Sequence, residues 1–169
     1  MRAAGLIAAM AVVLMVAACG GKAPEASRFR SYDGPPVTSV QIHKSDRKLY
    51  LFNGGTVLKT YDIALGFQPV GHKQFEGDGK TPEGTYVVDR RNPNSAYHLS
   101  VGISYPNAND RIYALANARL PGGDIFVHGD SKTPKSQRDW TAGCIAVTDD
   151  EIEEIYAMVR DGTVITLYP

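Results

Sequence analysis

The sequence has only two cysteines in 169 residues and no excess charge of either sign. Two cysteines cannot build a disulfide framework. Eighteen basic residues against eighteen acidic ones leave no electrostatic footprint for DNA or RNA, and no run of Lys or Arg supplies one locally. Clustered His, Cys, Asp or Glu at metal-ligand spacing is also missing, so neither a metal nor another cofactor is expected. Internal repeats are absent as well. What is present is a hydrophobic fraction of 43%, close to the globular average, which excludes disorder for most of the chain. The length suits one domain and little more. Seventeen glycines and ten prolines imply many turns, hence a strand-rich fold.

Charge is absent altogether from Ala3 to Gly21. Arg2 and the amino terminus flank this stretch, and Ala3 to Ala18 is almost pure Ala, Val, Leu, Met and Ile. A basic start, an apolar core and then small residues make the pattern of a secretory signal peptide. Val16-Ala17-Ala18-Cys19-Gly20 resembles the lipobox of bacterial lipoproteins, which implies cleavage before Cys19 and acylation of its thiol. A plain signal peptide or a short membrane anchor is the competing reading, although spanning a bilayer takes roughly 20 apolar residues. Residues 1–18 are therefore expected to be a lipoprotein signal peptide. Several acyl chains at Cys19 would hold the protein stably on a membrane, in the cell envelope and on the exported side. Gly20 to about Pro36 holds Gly, Pro, Ser, Ala and scattered charge, and reads with Cys19 as a flexible tether over residues 19–36. The folded domain is then expected over residues 37–169, as a monomer.

That domain reads as strands joined by turns. Val40 to His43 alternates, Leu49 to Phe52 is a short apolar run, and Asn53-Gly54-Gly55 turns the chain into a strand from Val57 to Leu65. Further strands are expected over Gly84 to Val88, Tyr97 to Tyr105, Ile125 to Val127, Cys144 to Val147 and Val164 to Leu167. One helix is clear. Thr148 or Asp149 can cap it, Glu151 lies in its first turn, Ile152, Ile155, Tyr156 and Val159 fall at helical spacing, and Gly162 ends it. Without alternating strand and helix units, a doubly wound sheet is excluded.

With Cys19 lipidated, Cys144 is the one free thiol of an exported protein. Such proteins usually pair their cysteines, so the odd one suggests a reactive thiol, with a buried inert cysteine as the alternative. Thr141-Ala142-Gly143 precedes it and Ile145-Ala146-Val147 follows, which places a nucleophile at a strand start with backbone amides nearby. A thiol of ordinary pKa needs a base or a positive neighbour. His43, His72, His98 and His128 are the candidates. His128 closes the run Ile125-Phe126-Val127 and precedes Gly129, so a strand end could deliver its imidazole into a cleft.

His128-Gly129 and Thr141-Ala142-Gly143-Cys144-Ile145, with fifteen residues between His128 and Cys144, resemble the L,D-transpeptidase (YkuD-type) family. Ala64-Leu65-Gly66 and Gly79-Lys80-Thr81-Pro82-Glu83-Gly84-Thr85-Tyr86 resemble the family's strand and its Thr-Pro-x-Gly turn. The likeness covers roughly Val37 to Pro169. It implies a mainly β fold, an L,D-transpeptidase-like β-sandwich or barrel with one or two short helices. It also implies a cysteine-dependent enzyme acting on peptidoglycan stem peptides. Ala142 stands where most members carry a second histidine. That departure, with Ser95-Ala96-Tyr97-His98 and Tyr105-Pro106-Asn107, resembles a subgroup associated with hydrolysis, and leaves the balance between transfer and hydrolysis open.

In this reading Cys144 is the nucleophile and His128 its base. The Gly129 carbonyl or Asp130 orients the imidazole, and the amides of Gly143 and Cys144 hold the oxyanion. Thr141, Tyr105, His98 and Arg138, with Trp140, are candidate substrate contacts, Arg138 because a guanidinium fork suits a carboxylate. The loop from Gly129 to Trp140 is read as a lid or as a solvated connection. The rival from another class is a catalytically silent peptidoglycan-binding lipoprotein using the same cleft.

Overall fold

The computed structural model describes residues 27–130 and 138–169. The expected signal peptide, the lipidation site Cys19 and most of the loop before Arg138 lie outside the described residues.

The described chain forms eight strands and two helices. β1 (Ser39–His43), β2 (Lys48–Asn53) and β3 (Thr56–Asp62) come first, followed by β4 (Gly84–Asn92), β5 (Ser100–Ile103) and α1 (Ala108–Ala116). β6 (Phe126–His128), β7 (Ile145–Ala146), α2 (Asp149–Met158) and β8 (Val164–Tyr168) complete it. The strands lie in the order β3-β2-β1-β8-β4-β5-β6-β7. β4 makes the corner: Gly84 to Val87 pair with β8, and beyond a register shift at Val88/Arg90 the strand pairs with β5. Such an irregularity bends a strand and strengthens its twist. The two edges then approach each other through bridges from Ala64 to Ala146 and from Gly66 to Thr141. The sheet therefore curls on itself, in line with the mainly β, sandwich-or-barrel expectation.

Alternation explains which faces are buried. Val40 and Ile42 in β1, Leu49 and Leu51 in β2, and Ile165 and Leu167 in β8 point to one core, each at most 3% exposed. Each such side chain contributes roughly 1.5–3 kcal/mol relative to exposure. Helix α2 covers this core with Ile152 and Ile155, and Thr148 caps it in a reciprocal box with Glu151. That helix lies where the sequence pattern puts it.

Three elements differ from the expectation: the strand expected over Tyr97 to Tyr105 is confined to Ser100–Ile103, since His98 takes a left-handed backbone. The strand expected over 57–65 ends at Asp62, because Ala64 to Gly66 leave β2 and bond to the opposite edge of the sheet. Helix α1 has only Asp110 and Ala114 buried, so its sequence carries almost no apolar stripe, and its start is set by the Asn107/Asp110 capping box.

Part of the segment expected to be a tether is docked. Arg30 reaches Asp150, Glu153 and Glu154 on α2 at 3.0, 2.8 and 3.4 Å, and Tyr32 packs against the core. Lys44, although a lysine, is 2% exposed. Its ammonium donates to the carbonyls of Gly71 and Thr81 and to Glu83 at 2.7, 3.0 and 2.7 Å, tying the end of β1 to the Gly71–Glu83 loop.

Candidate active site

Parallel pairing of β6 with β7 sets Val127 beside Ile145 and His128 beside Ala146. Val127 and Ile145 belong to the core, so alternation turns His128 and Ala146 to the other face. Cys144 immediately precedes β7, and its sulfur lies against the Asp124 carbonyl, two residues before β6.

The His128 ring is 4% exposed, and its Nδ1 lies 2.7 Å from the carbonyl oxygen of Gly129. A carbonyl only accepts, so Nδ1 carries the proton in that bond and Nε2 presents a lone pair whenever the ring is neutral. Nε2 has no hydrogen-bond partner among the described residues. Burial lowers the imidazole pKa from its ordinary 6.5, against the Gly129 bond and the Asp130 charge, which act in the opposite direction. Tyr97 stacks on the ring with centroids 4.5 Å apart, and Trp140 stands edge-on at 5.7 Å. Aromatic walls favour the neutral ring by excluding water.

The Cys144 thiol donates to the carbonyl oxygen of Asp124 at 3.4 Å rather than to His128. Burial pushes its pKa above the ordinary value, opposed by the Phe126 amide that faces the sulfur. Asp124 holds a left-handed backbone, φ +53°, and its side chain pairs with Arg90 at 3.1 Å. The pair is thus a neutral thiol beside a neutral imidazole. Rotation of the sulfur away from Asp124 is needed to bring it to Nε2.

The turn before Cys144 is held from both sides. Asp139 takes the Arg47 guanidinium at 2.8 Å and the Leu65 amide at 3.0 Å. The Thr141 amide and carbonyl bond to the Leu65 carbonyl and the Phe67 amide at 3.1 and 2.9 Å. Gly143 adopts φ +136°, and a Cβ there would lie 2.6 Å from the Lys80 carbonyl, so only glycine fits. Asp78 in turn orders the loop that carries Lys80. Burial alone would raise its carboxyl, but the amides of Phe75, Gln74 and Lys80 and the Lys73 ammonium outweigh it and hold it below the usual range.

Most of the other sequence-derived candidates are held by hydrogen bonds of the fold. The Gly143 amide is already engaged by Thr141 Oγ1 at 3.1 Å, so it does not present itself to an oxyanion. Thr141 Oγ1 also donates to the Cys144 carbonyl at 2.7 Å, and the residue is 4% exposed, so its hydroxyl helps to build the turn. Tyr105 is buried, with its hydroxyl donating to the Pro121 carbonyl at 3.1 Å. The His98 imidazole bonds Glu153 at 2.7 Å on α2. Arg138 is exposed beside Asp139, and Trp140 stands at the imidazole. Of the two candidate orienters, the Gly129 carbonyl contacts His128, while the Asp130 amide bonds Asp149 at 3.1 Å. Tyr97, Asp139 and Asp149 escaped the sequence reasoning. Tyr97 was visible only within Ser95-Ala96-Tyr97-His98 and an expected strand, Asp149 only as a possible helix cap, and nothing local marks Asp139. Among the described residues, no group of three or more His, Cys, Asp or Glu converges as a metal site.

A family model described as YkuD, L,D-transpeptidase catalytic domain, matches residues 38–167. Over 149 residues the chain is 32% identical to the Escherichia coli (strain K12) protein named "Putative L,D-transpeptidase YafK", covering 80% of this chain and 55% of that protein. The fold is similar to the helical cell shape determining protein Pgp2 from Campylobacter jejuni, with TM-score 0.62 and 26% identity over 80% of this chain and 49% of that one. It is also similar to Bd1075 of Bdellovibrio bacteriovorus, with TM-score 0.57 and 25% identity over 79% and 48% of the two chains. The chain thus spans about half the length of these relatives. With its curled sheet, His128 ending β6 and Cys144 just before the adjoining β7, the chain belongs to the L,D-transpeptidase catalytic domain family.

Proposed function

We propose that the protein is a cysteine-dependent acyl transferase that modifies peptidoglycan stem peptides, with Cys144 as nucleophile and His128 as general base and acid. The observation that supports this most directly is Cys144 immediately before β7, the strand paired with the His128-bearing β6, with Nε2 of His128 uncommitted. The Cys144 sulfur leaves Asp124, and Nε2 takes its proton. The thiolate attacks the carbonyl carbon of an L-centre, such as that of diaminopimelate, joined to a D-residue. A C–S bond forms, the C–N bond breaks, and the departing amine takes the proton from Nε2. An incoming amine or water then gives a proton to Nε2 and attacks the thioester, the C–S bond breaks, and the departing sulfur takes that proton back from Nε2. An amine gives L,D-transpeptidation, and water gives L,D-hydrolysis.

Because Thr141 occupies the Gly143 amide, the oxyanion role falls to the amides of Cys144 and Ala142, which carry no hydrogen bond among the described residues. Loss of one such donor typically costs about 3–4 kcal/mol of transition-state stabilisation. Ala142 contributes only backbone, consistent with a site that lacks the second histidine of most relatives. The uncharged leader and Cys19 support an exported protein, lipid-anchored and facing the periplasm or cell wall.

Digestion of purified cell walls with the wild-type protein and with Cys144→Ala, followed by muropeptide analysis, tests the proposal. New cross-links or released stem peptides that vanish in Cys144→Ala are expected. Products that persist in the variant would overturn the mechanism. The Cys144–Asp124 contact favours a second reading, a binding module with a resting thiol, and wall binding without any product would establish it.

A further inference from the structure

His98 is a polar residue held in a left-handed backbone conformation, φ +68°, and its surroundings converge on the catalytic side of the sheet. Its Nε2 bonds Glu153 at 2.7 Å, and its Nδ1 lies 3.9 Å from Asp149, so the ring stands between two carboxylates of α2. Glu153 is shared: its other oxygen takes Arg30 Nε at 2.8 Å. The His98 carbonyl accepts from Arg28 at 3.4 Å. The N-terminal segment therefore grips His98 twice, once through its backbone and once through Glu153.

On the other side, Tyr97 and Asp149 both reach the peptide that carries His128. The Tyr97 ring stacks on the imidazole, and its carbonyl accepts the Gly129 amide at 3.1 Å. Asp149 accepts the Asp130 amide at 3.1 Å. Gly129 is thus pinned at its own amide and at the next one, and the carbonyl between them holds Nδ1 of His128 at 2.7 Å. A Cβ at Gly129 would collide with Asp149 Oδ1 and come within 3.0 Å of the Tyr97 carbonyl, which shows how closely these three residues meet.

We infer that His98 is a positioning residue for His128: clamped on α2 and gripped by Arg28 and Arg30, it fixes Tyr97 and the Gly129–Asp130 peptide, and these fix the imidazole. The role first expected for His98, a substrate contact, is replaced by one exerted through its neighbours. Docking of the segment around Arg30 completes the device, so the base is set only when the segment seats on α2. A base displaced by an ångström loses much of its rate even when the fold is intact.

This inference rests on the proposed role of His128, and the experiment separates the two. The rate of Cys144 alkylation by iodoacetamide is followed against pH in the full chain, alongside kcat and KM for muropeptide turnover. His128→Ala sets the profile of a thiol without its base. His98→Ala and Arg30→Ala should move the wild-type profile toward that of His128→Ala, and His98→Ala should lower kcat about tenfold with KM within about twofold. Arg30→Ala should add nothing further in a His98→Ala background. His98→Asn, which keeps a donor toward Glu153, should restore part of the lost kcat. If His128→Ala leaves the profile unchanged, the catalytic reading fails and the inference falls with it. If His128→Ala shifts the profile while folded His98→Ala superposes on wild type, only the inference falls. Should His98→Ala not fold, Glu153→Gln carries the same comparison with the same two outcomes.

Discussion

His72 and His128 are both wired into the fold by short hydrogen bonds, and they end with opposite chemical capacity. At His72 both ring nitrogens are engaged: Nδ1 accepts the Glu83 amide at 2.9 Å, which leaves Nε2 to donate to Asp110 at 3.0 Å. Asp110 also takes the Tyr86 hydroxyl and the Asn107 amide at 3.0 and 2.8 Å. This imidazole joins the Glu83 turn to the start of α1 and has no lone pair left. At His128 the backbone carbonyl of Gly129 holds one nitrogen, aromatic rings wall the faces, and the other nitrogen is left uncommitted. A carboxylate partner is therefore no mark of a catalytic histidine here. What distinguishes the proposed base is the nitrogen the fold does not use.

The largest expected effect separates the two residues by reciprocal losses. His128→Ala should lower muropeptide turnover by about 10³-fold or more, since a nucleophile and its base act as a unit. His72→Ala should leave turnover within about threefold of wild type. It should instead cost about 1–3 kcal/mol of stability, because the buried Asp110 carboxylate loses a donor. Steady-state assays and urea denaturation of both variants check the pair. A His72→Ala protein of unchanged stability but lost activity would break the comparison.

Next in size are changes to the backbone that orients His128 and Cys144. Gly129→Ala drives a methyl into Asp149 and the Tyr97 carbonyl, so a destabilisation of about 1–3 kcal/mol is expected together with slower turnover. The matching substitution at Gly55, where nothing lies within 4 Å and the backbone is not left-handed, meets no such contact. Thr141→Val removes the hydroxyl that joins the Gly143 amide to the Cys144 carbonyl and should cost about 1–2 kcal/mol, whereas Thr141→Ser should keep most of it. Denaturant midpoints for the four proteins, with their m-values, decide whether the turn is held as described.

The sequence made the strands and α2 legible because their signals are local. Period-two runs, the Asn53-Gly54-Gly55 turn and the Thr148/Glu151 box each act over a few residues. His128 and Cys144 could be paired through motif and spacing. Other features depend on which distant segment arrives beside them. Helix α1 hid because its buried face is a carboxylate and an alanine, and Ala64 to Gly66 left their strand for partners about eighty positions away. Tyr105, Thr141 and His98 were plausible as ligand contacts by residue type alone. Only the fold shows their polar atoms already engaged. Docking of Arg30 on α2 was equally invisible, since a Gly- and Pro-containing segment carries no sign that three carboxylates await it.

The smallest expected effect concerns acid stability and sharpens the comparison at His128 itself. Burial holds the folded-state pKa of this imidazole below the 6.5 of an exposed ring. Above pH 6.5 the ring is neutral in both folded and unfolded chains and contributes no pH dependence. As pH falls below 6.5, the unfolded chain binds a proton that the folded chain resists, so stability drops until the pH passes the depressed folded value. The decline runs opposite to that of a histidine stabilised by its charge, which would gain stability over the same window. Carboxylates held low by their partners, Asp78 and Asp139 among them, add their own acid-side loss and are common to wild type and variant. The difference between wild type and His128→Gln, measured by urea denaturation from pH 7.5 downward, isolates the imidazole. Wild type should lose stability more steeply than the variant below pH 6.5, with the two curves parallel above it. A wild-type curve that becomes the less steep of the two on acidification would mean that His128 is held as an imidazolium. The neutral base with an open Nε2 would then be the wrong description of this site.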